Sequence, residues 1–173
     1  MFTDPIKNLK AFGLRENDVV ADLGAGTGYY SLFAGTLVPK GKVYAIEIDK
    51  NFLDTIKRKV KEANLKNVEI IWGNVETIGG TKIGDNVADA VIASNVLFQL
   101  ENKDIFILEI KRILKPKGKV LLVDWRADSI VGRKMSVKKE KITEMFEKEG
   151  FVRDSEIDAG NHHYGMILRK SRE

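Results

Sequence analysis

Two periodicities alternate along the chain. Short runs rich in aliphatic and β-branched residues, "DVVADL" (18–23), "KVYAIEI" (42–48), "VEIIWG" (68–73), "ADAVIAS" (88–94) and "KVLLVDW" (119–125), are separated by longer amphipathic stretches. All but the first run are mostly apolar without strict alternation, the pattern of strands covered on both faces. The stretches between them predict helices over 28–38, ending near Pro39 and Gly41, over 50–63, with Phe52, Ile56, Val60 and Ala63 on one stripe, and over 102–115, stopped by Pro116. In the last third a helix near 137–149 ends at Gly150, and "FVRDSEI" and "HYGMILRK" read as two strands joined across "DAGNH". The pattern predicts one α/β domain over 1–173, doubly wound, with a mostly parallel seven-stranded sheet that ends in an antiparallel C-terminal hairpin. Residues 1–17 are expected as an N-terminal helix or lid segment and 18–173 as the core.

Composition narrows the chemistry. The 173 residues contain no cysteine, which excludes disulfides, thiolate metal sites and cysteine nucleophiles. No run approaches the roughly 18 apolar residues of a membrane span, and "MFTDPIKNLK" has no apolar signal core; a cytoplasmic protein is expected. Twenty-nine basic against 25 acidic residues leave +4, mild for a nucleic-acid binder. The densest basic stretch, "GRKMSVKKEK" (132–141), runs into "EMFEKEG" and reads as a solvated helical face.

The informative turn is "DLGAGTGYY" (22–30), between the first strand and the first long helix. Three glycines there let the backbone approach a ligand that any Cβ would keep away. A dinucleotide fingerprint needs G-x-G-x-x-G; counted from Gly24, the last glycine falls at Gly28 and Tyr29 stands where it is required. A phosphate loop also fails, because no Gly-Lys-Ser/Thr follows. Asp22, just before the turn, would repel a pyrophosphate and favour a ligand carrying an ammonium or sulfonium; alternatively it only accepts bonds from the loop. Glu47, at the end of the second strand, is placed to accept from the ribose of a nucleoside held on the turn. Its neighbour Asp49 suits the N-cap of the following helix.

"VVADLGAGTGYYS" with "KVYAIEIDKNFL" resembles the first motifs of the class I S-adenosylmethionine-dependent methyltransferases. The likeness continues through "VEIIWGNVE", "ADAVIASNVLFQL", "EIKRILKPKGKVLLVDW" and "FEKEGF", and is nearest to the quinone-biosynthesis-like and small-molecule members. The resemblance implies a Rossmann-like fold, S-adenosylmethionine as cofactor with S-adenosylhomocysteine as product, no metal, and transfer by in-line displacement. It implies cofactor contacts from Asp22, Gly24, Ala25, Gly26, Thr27, Gly28 and Tyr29, the ribose on Glu47, the adenine against Ile48, and Asn74 and Val75 at the adenine edge. Asn74 departs from the family's usual aspartate, and Lys117 stands where glycine is common.

The acceptor side is thinner. "SNVLFQ" (94–99) falls at the expected switch point, with Asn95 as a polar contact to cofactor or substrate and Val96, Leu97 and Phe98 as packing. Trp125 and Arg126 are candidates for the acceptor pocket. Of His162 and His163 at most one can face the site, since adjacent strand residues point oppositely. His163 is a candidate general base; Asn95 is the other catalytic candidate, and neither is decided. Short segments before the first strand and after the fifth predict an open site, which fits a large acceptor, a lid formed by Met1 to Pro5 with Phe2 near the entrance, or closure by a second subunit. The expected acceptor is a small or lipid-like molecule, handled by a monomer or homodimer. RNA or protein methylation is the alternative, disfavoured by "SNVLF" where amino-methylating nucleic-acid enzymes carry Asn/Asp-Pro-Pro-Tyr/Phe. A binding protein without turnover is another.

Overall fold

A computed structural model of the chain describes residues 3–128 and 136–171. Met1 and Phe2, and 132–135 of the basic stretch, lie outside the described residues. Seven strands form one sheet in the order β3-β2-β1-β4-β5-β7-β6. They are β1 (Val19–Leu23), β2 (Lys42–Glu47), β3 (Val68–Trp72), β4 (Ala88–Ser94), β5 (Leu114–Trp125), β6 (Phe151–Ile157) and β7 (His163–Lys170). Strands β1 to β5 are parallel, and the β6–β7 hairpin pairs antiparallel against β5 through β7. The doubly wound, Rossmann-like architecture and the terminal hairpin thus stand as the sequence pattern predicts.

Each face of the sheet carries its own apolar layer. Helices α1 (Pro5–Phe12) and α2 (Tyr29–Leu37) bury Leu9, Phe12, Tyr30 and Ala34 against Val20, Val43 and Ile92. Beside them α3 (Lys50–Glu62) seats Ile56 and Val60 on Ala45. On the opposite face α4 (Lys103–Ile113) and α5 (Lys139–Lys148) pack Phe106, Ile110, Ile142 and Phe146 onto Ala21, Leu23, Val120 and Leu122. Successive strand residues serve opposite layers, which is why the strands read as continuous apolar runs.

One boundary differs from the pattern. The helix expected to reach 115 ends at Ile113, and β5 begins at Leu114, where it pairs with Ala88. The register then shifts, so that Ala90 meets Lys119. Lys115 to Gly118 form the excursion, and Lys117 sits at a left-handed φ of 65°, the conformation a glycine there would hold without strain. The N-terminal helix is capped by Asp4, whose side chain accepts from Ile6 and Lys7, and Asp49 caps α3 as expected.

Candidate functional site

The strand order reverses between β1 and β4, so their C-terminal ends open a crevice, the place where open α/β sheets bind ligands. Two adjoining cavities lie there. One, of about 620 Å³, is walled by the glycine turn, Tyr29, Tyr30, Phe52, Ser94, Asn95 and the N-terminal Thr3 and Pro5. The other, of about 160 Å³, is bounded by Ile48, Gly73, Asn74, Val75 and Val96. Gly24, Glu47 and Gln99 border both.

Local geometry makes the turn what it is. Gly24 (φ 72°), Gly26 (φ 54°) and Gly28 (φ 82°) are all left-handed, a conformation costly to any residue with a Cβ. A Cβ on Gly24 would lie 2.8 Å from Val96 Cγ2 and one on Gly28 3.0 Å from Ile56 Cγ1, so both are fixed by packing. A Cβ on Gly26 would meet nothing within 4 Å among the described residues, which leaves space against the backbone there.

The hydrogen bonds of the turn bear on its ligand class. The N–H groups of Gly24 and Ala25 both donate to the Ile46 carbonyl, at 3.0 and 2.9 Å, and that of Gly28 to Ala25, at 2.8 Å. Gly26 N–H donates to Glu47 Oε2 at 2.8 Å. These donors are therefore engaged within the protein rather than converging on an anion, as a pyrophosphate cradle requires. Glu47 also accepts from Ile48 and Asp49 N–H, through Oε1, at 2.8 and 3.0 Å. A carboxylate has about four lone-pair sites; with three N–H groups bound, one acceptor position is left for a hydroxyl in the cleft.

Asp22 is placed beneath the turn. It is 2 % exposed, accepts from the Ser31 hydroxyl at 2.6 Å and borders neither cavity, so any pull on a cation acts through the field and not through contact. Burial pushes its carboxyl up to about 7, against the lowering effect of Ser31. Ala25, Thr27 and Tyr29 do line the larger cavity, whereas Gly28 acts as the N-cap position of α2. Ile48 stands 55 % exposed at the mouth of the smaller one, a large aliphatic side chain offered to a planar partner. Asn74 Oδ1 accepts from Glu76 N–H at 2.9 Å, the turn role expected of an asparagine, and borders the same cavity as Val75.

The acceptor-side candidates fall out differently. Asn95 borders the larger cavity, and its Oδ1 lies 2.8 Å from His163 Nε2. His163 is 3 % exposed, so it is no hairpin surface histidine; it does not line the 620 Å³ cavity but borders a neighbouring one of about 520 Å³. Trp125 stacks on its ring, centroids 4.1 Å apart, and Arg126 pairs with Asp128; neither lines the 620 Å³ cavity, and Arg126 borders the separate one of about 520 Å³. Val96 and Leu97 are core residues, as the packing alternative held.

Three participants escape sequence reasoning. Asp124 accepts from Leu97 N–H at 2.9 Å and so braces the β4 loop; burial pushes its carboxyl up to about 6. Gln99 Nε2 donates to the Asn95 carbonyl at 3.1 Å. Asn8 Nδ2 donates to Thr3 Oγ1 at 2.6 Å and to Tyr30 OH at 2.7 Å, tying the N-terminal segment over the cleft. The acid at the end of "LLVD" was the one visible signal; the other two depend on contacts remote in sequence. Among the described residues no cluster of His, Asp and Glu suits a metal ion.

A family model described as a methyltransferase domain matches residues 14–170. The chain belongs to this family. It is 29% identical over 125 residues to a demethylmenaquinone methyltransferase of Geobacillus sp. (strain WCH70), covering 72% of this chain and 52% of that one. The chain thus spans about half the length of the curated relative it matches. The crystal structure of a SAM-dependent methyltransferase from Aquifex aeolicus superposes with a TM-score of 0.87 at 28% identity, covering 97% of this chain and 90% of that one. The [4+2]-cyclase SpnF also superposes, with a TM-score of 0.81 at 16% identity over 92% of this chain and 77% of that one. At that identity only the fold is shared, and the fold by itself does not name a reaction. No helix among the described residues is long and apolar enough to cross a membrane.

Proposed function

We propose that this methyltransferase-domain chain transfers a methyl group from S-adenosylmethionine to a small, quinone-like or lipid-like acceptor. The observation that carries the reading is Glu47, a carboxylate on the border of both cavities, beside a glycine turn whose N–H donors at Gly24, Ala25, Gly26 and Gly28 are turned inward. That wall repels phosphates and suits a nucleoside with a positive centre.

The residues fit the cofactor. The space left by Gly26 admits a ligand against the backbone, Glu47 keeps an acceptor for a ribose hydroxyl, and Ile48 with Val75 frames a slot for a base. Gly24, Ala25, Thr27 and Tyr29 border the remainder. When bound, S-adenosylmethionine supplies an electrophilic methyl carbon on a sulfonium. The protein's part is to hold two reactants in line and exclude water, the effect that dominates displacements of this kind. Tyr29, Tyr30, Phe52 and Pro5 form an aromatic and apolar wall of the larger cavity, which favours a planar, apolar acceptor over a polynucleotide. The relatives named demethylmenaquinone methyltransferase support the same acceptor class.

The acceptor panel tests this directly. Release of S-adenosylhomocysteine is measured with naphthoquinols, benzoquinols, polar metabolites and RNA. Turnover confined to the quinols is expected; turnover of RNA alone overturns the acceptor class, and turnover of none favours a binding protein.

A further inference from the structure

Asn95 and His163 come from distant parts of the chain and meet at the back of the larger cavity, Oδ1 2.8 Å from Nε2. Two arrangements satisfy that distance. Either Nε2 carries the proton and donates to the amide oxygen, or the amide is reversed, Nδ2 donates to a bare Nε2, and the ring proton moves to Nδ1.

Burial chooses between them. Nδ1 is buried and has no partner among the described residues. A proton there would be an unmatched buried N–H, which native structures tolerate less than an under-used acceptor. A charged ring would carry the same unmatched N–H. Burial, reinforced by His162, holds the pKa of His163 below its ordinary value and keeps the ring neutral. The neutral Nε2–H ring therefore donates to Asn95 Oδ1, and the other end of the planar amide, Nδ2, is left without a partner among the described residues.

Everything around Asn95 fixes that orientation. Its backbone is held at a left-handed φ of 53°. Its N–H donates to the Val123 carbonyl at 2.8 Å, and its carbonyl accepts from Gln99. Asp124 pins the next turn through Leu97 N–H, and Trp125 lies against the imidazole with the two ring planes 36° apart. Such a supporting shell commonly orients one functional group without touching the ligand.

We propose that His163 is a positioning residue: it locks the Asn95 amide with its N–H₂ toward the 620 Å³ cavity, where Asn95 donates a hydrogen bond to an oxygen of the methyl acceptor. The acceptor class is then a planar apolar molecule bearing a carbonyl or phenolate-type oxygen. Its identity as a methyl acceptor rests on the function proposed above. The lock itself does not.

Three measurements test it. Long-range ¹H–¹⁵N correlation of the wild-type histidines at neutral pH reads the tautomer without any variant: Nε2–H is expected for His163, and Nδ1–H overturns the lock. Calorimetry with S-adenosylhomocysteine follows on wild type, His163→Phe and Asn95→Ala. Affinities within about twofold of one another are expected, and a loss near tenfold in the variants reassigns Asn95 to the cofactor and overturns the proposal. With S-adenosylhomocysteine saturating, 1,4-naphthoquinone should bind wild type about tenfold tighter than either variant, the double variant should lose no more than the singles, and His163→Gln should recover part of the loss. Naphthalene, which lacks the oxygen, should bind all of them alike. Equal losses for both probes indicate mere structural damage and overturn the proposal. Wild type that binds no S-adenosylhomocysteine overturns the methyl-transfer reading and the acceptor assignment with it. Wild type that binds it but does not prefer the quinone overturns the acceptor assignment alone.

Discussion

Glu47 does two jobs with one carboxylate. Three backbone N–H groups, from Gly26, Ile48 and Asp49, close on it and join the glycine turn to the β2 loop, while its remaining acceptor capacity faces the cleft. Replacing it with alanine should weaken S-adenosylhomocysteine binding by roughly 1 to 3 kcal/mol in calorimetry; unchanged affinity would mean the ribose is held elsewhere. The glycines separate structure from binding. Gly24→Ala drives a Cβ to 2.8 Å from Val96 and should lower stability by about 1 to 3 kcal/mol. Gly26→Ala meets nothing within 4 Å among the described residues, so its backbone strain should cost only about 1 kcal/mol of stability while the methyl occupies ligand space and abolishes most cofactor affinity. Equal affinity in both variants would sink that division. At this scale Glu47 was legible, because strand end and glycine spacing place it. Asp22 was half legible: its position was right for a charge, but the Ser31 hydroxyl that it closes on belongs to the next helix.

Periodicity makes an element legible where one strand or helix is locally consistent. The β6–β7 hairpin stands on its predicted residues, because turn residues bound both runs. β5 begins early because Leu114 finds Ala88 across the sheet, a pairing that outweighs the local signal of Pro116 and Gly118. The Asn95–His163 contact bridges β4 and β7 across β5, and neither flanking pattern records it. The N-terminal helix is likewise tied in from afar. Asn8 is 1 % exposed and bonds Thr3 and Tyr30, both on the cavity wall. Asn8→Ala should cost about 1 to 3 kcal/mol by denaturant unfolding and release the N-terminal residues to faster amide exchange than α2. Exchange that stays slow there would show that α1 packing, not this asparagine, holds the segment.

For the whole molecule, the pH dependence of stability carries the signature of the buried acids. Asp22, pushed up to about 7, and Asp124, pushed up to about 6, bind protons in the folded chain that the unfolded chain has released. Their contribution is therefore lost as pH rises through those values. Glu109, held down to about 2 by Arg112 and Thr81 against its burial, acts oppositely: its contribution is lost as pH falls toward 2. His163, with its pKa lowered, also favours the folded chain as pH rises through its ordinary range. Comparing Asp22→Asn with wild type isolates the contribution of one acid. The variant should gain stability relative to wild type on going from about pH 5 to about pH 8; a difference independent of pH would mean that Asp22 stays charged in its pocket.

The central claim is that the crevice between β1 and β4 holds a cationic amino-acid nucleoside and not a dinucleotide. One calorimetric titration of the whole chain decides it. Binding of S-adenosylhomocysteine and S-adenosylmethionine, with no heat from NADH, is the predicted result. Binding of NADH without either of the other two would contradict the account.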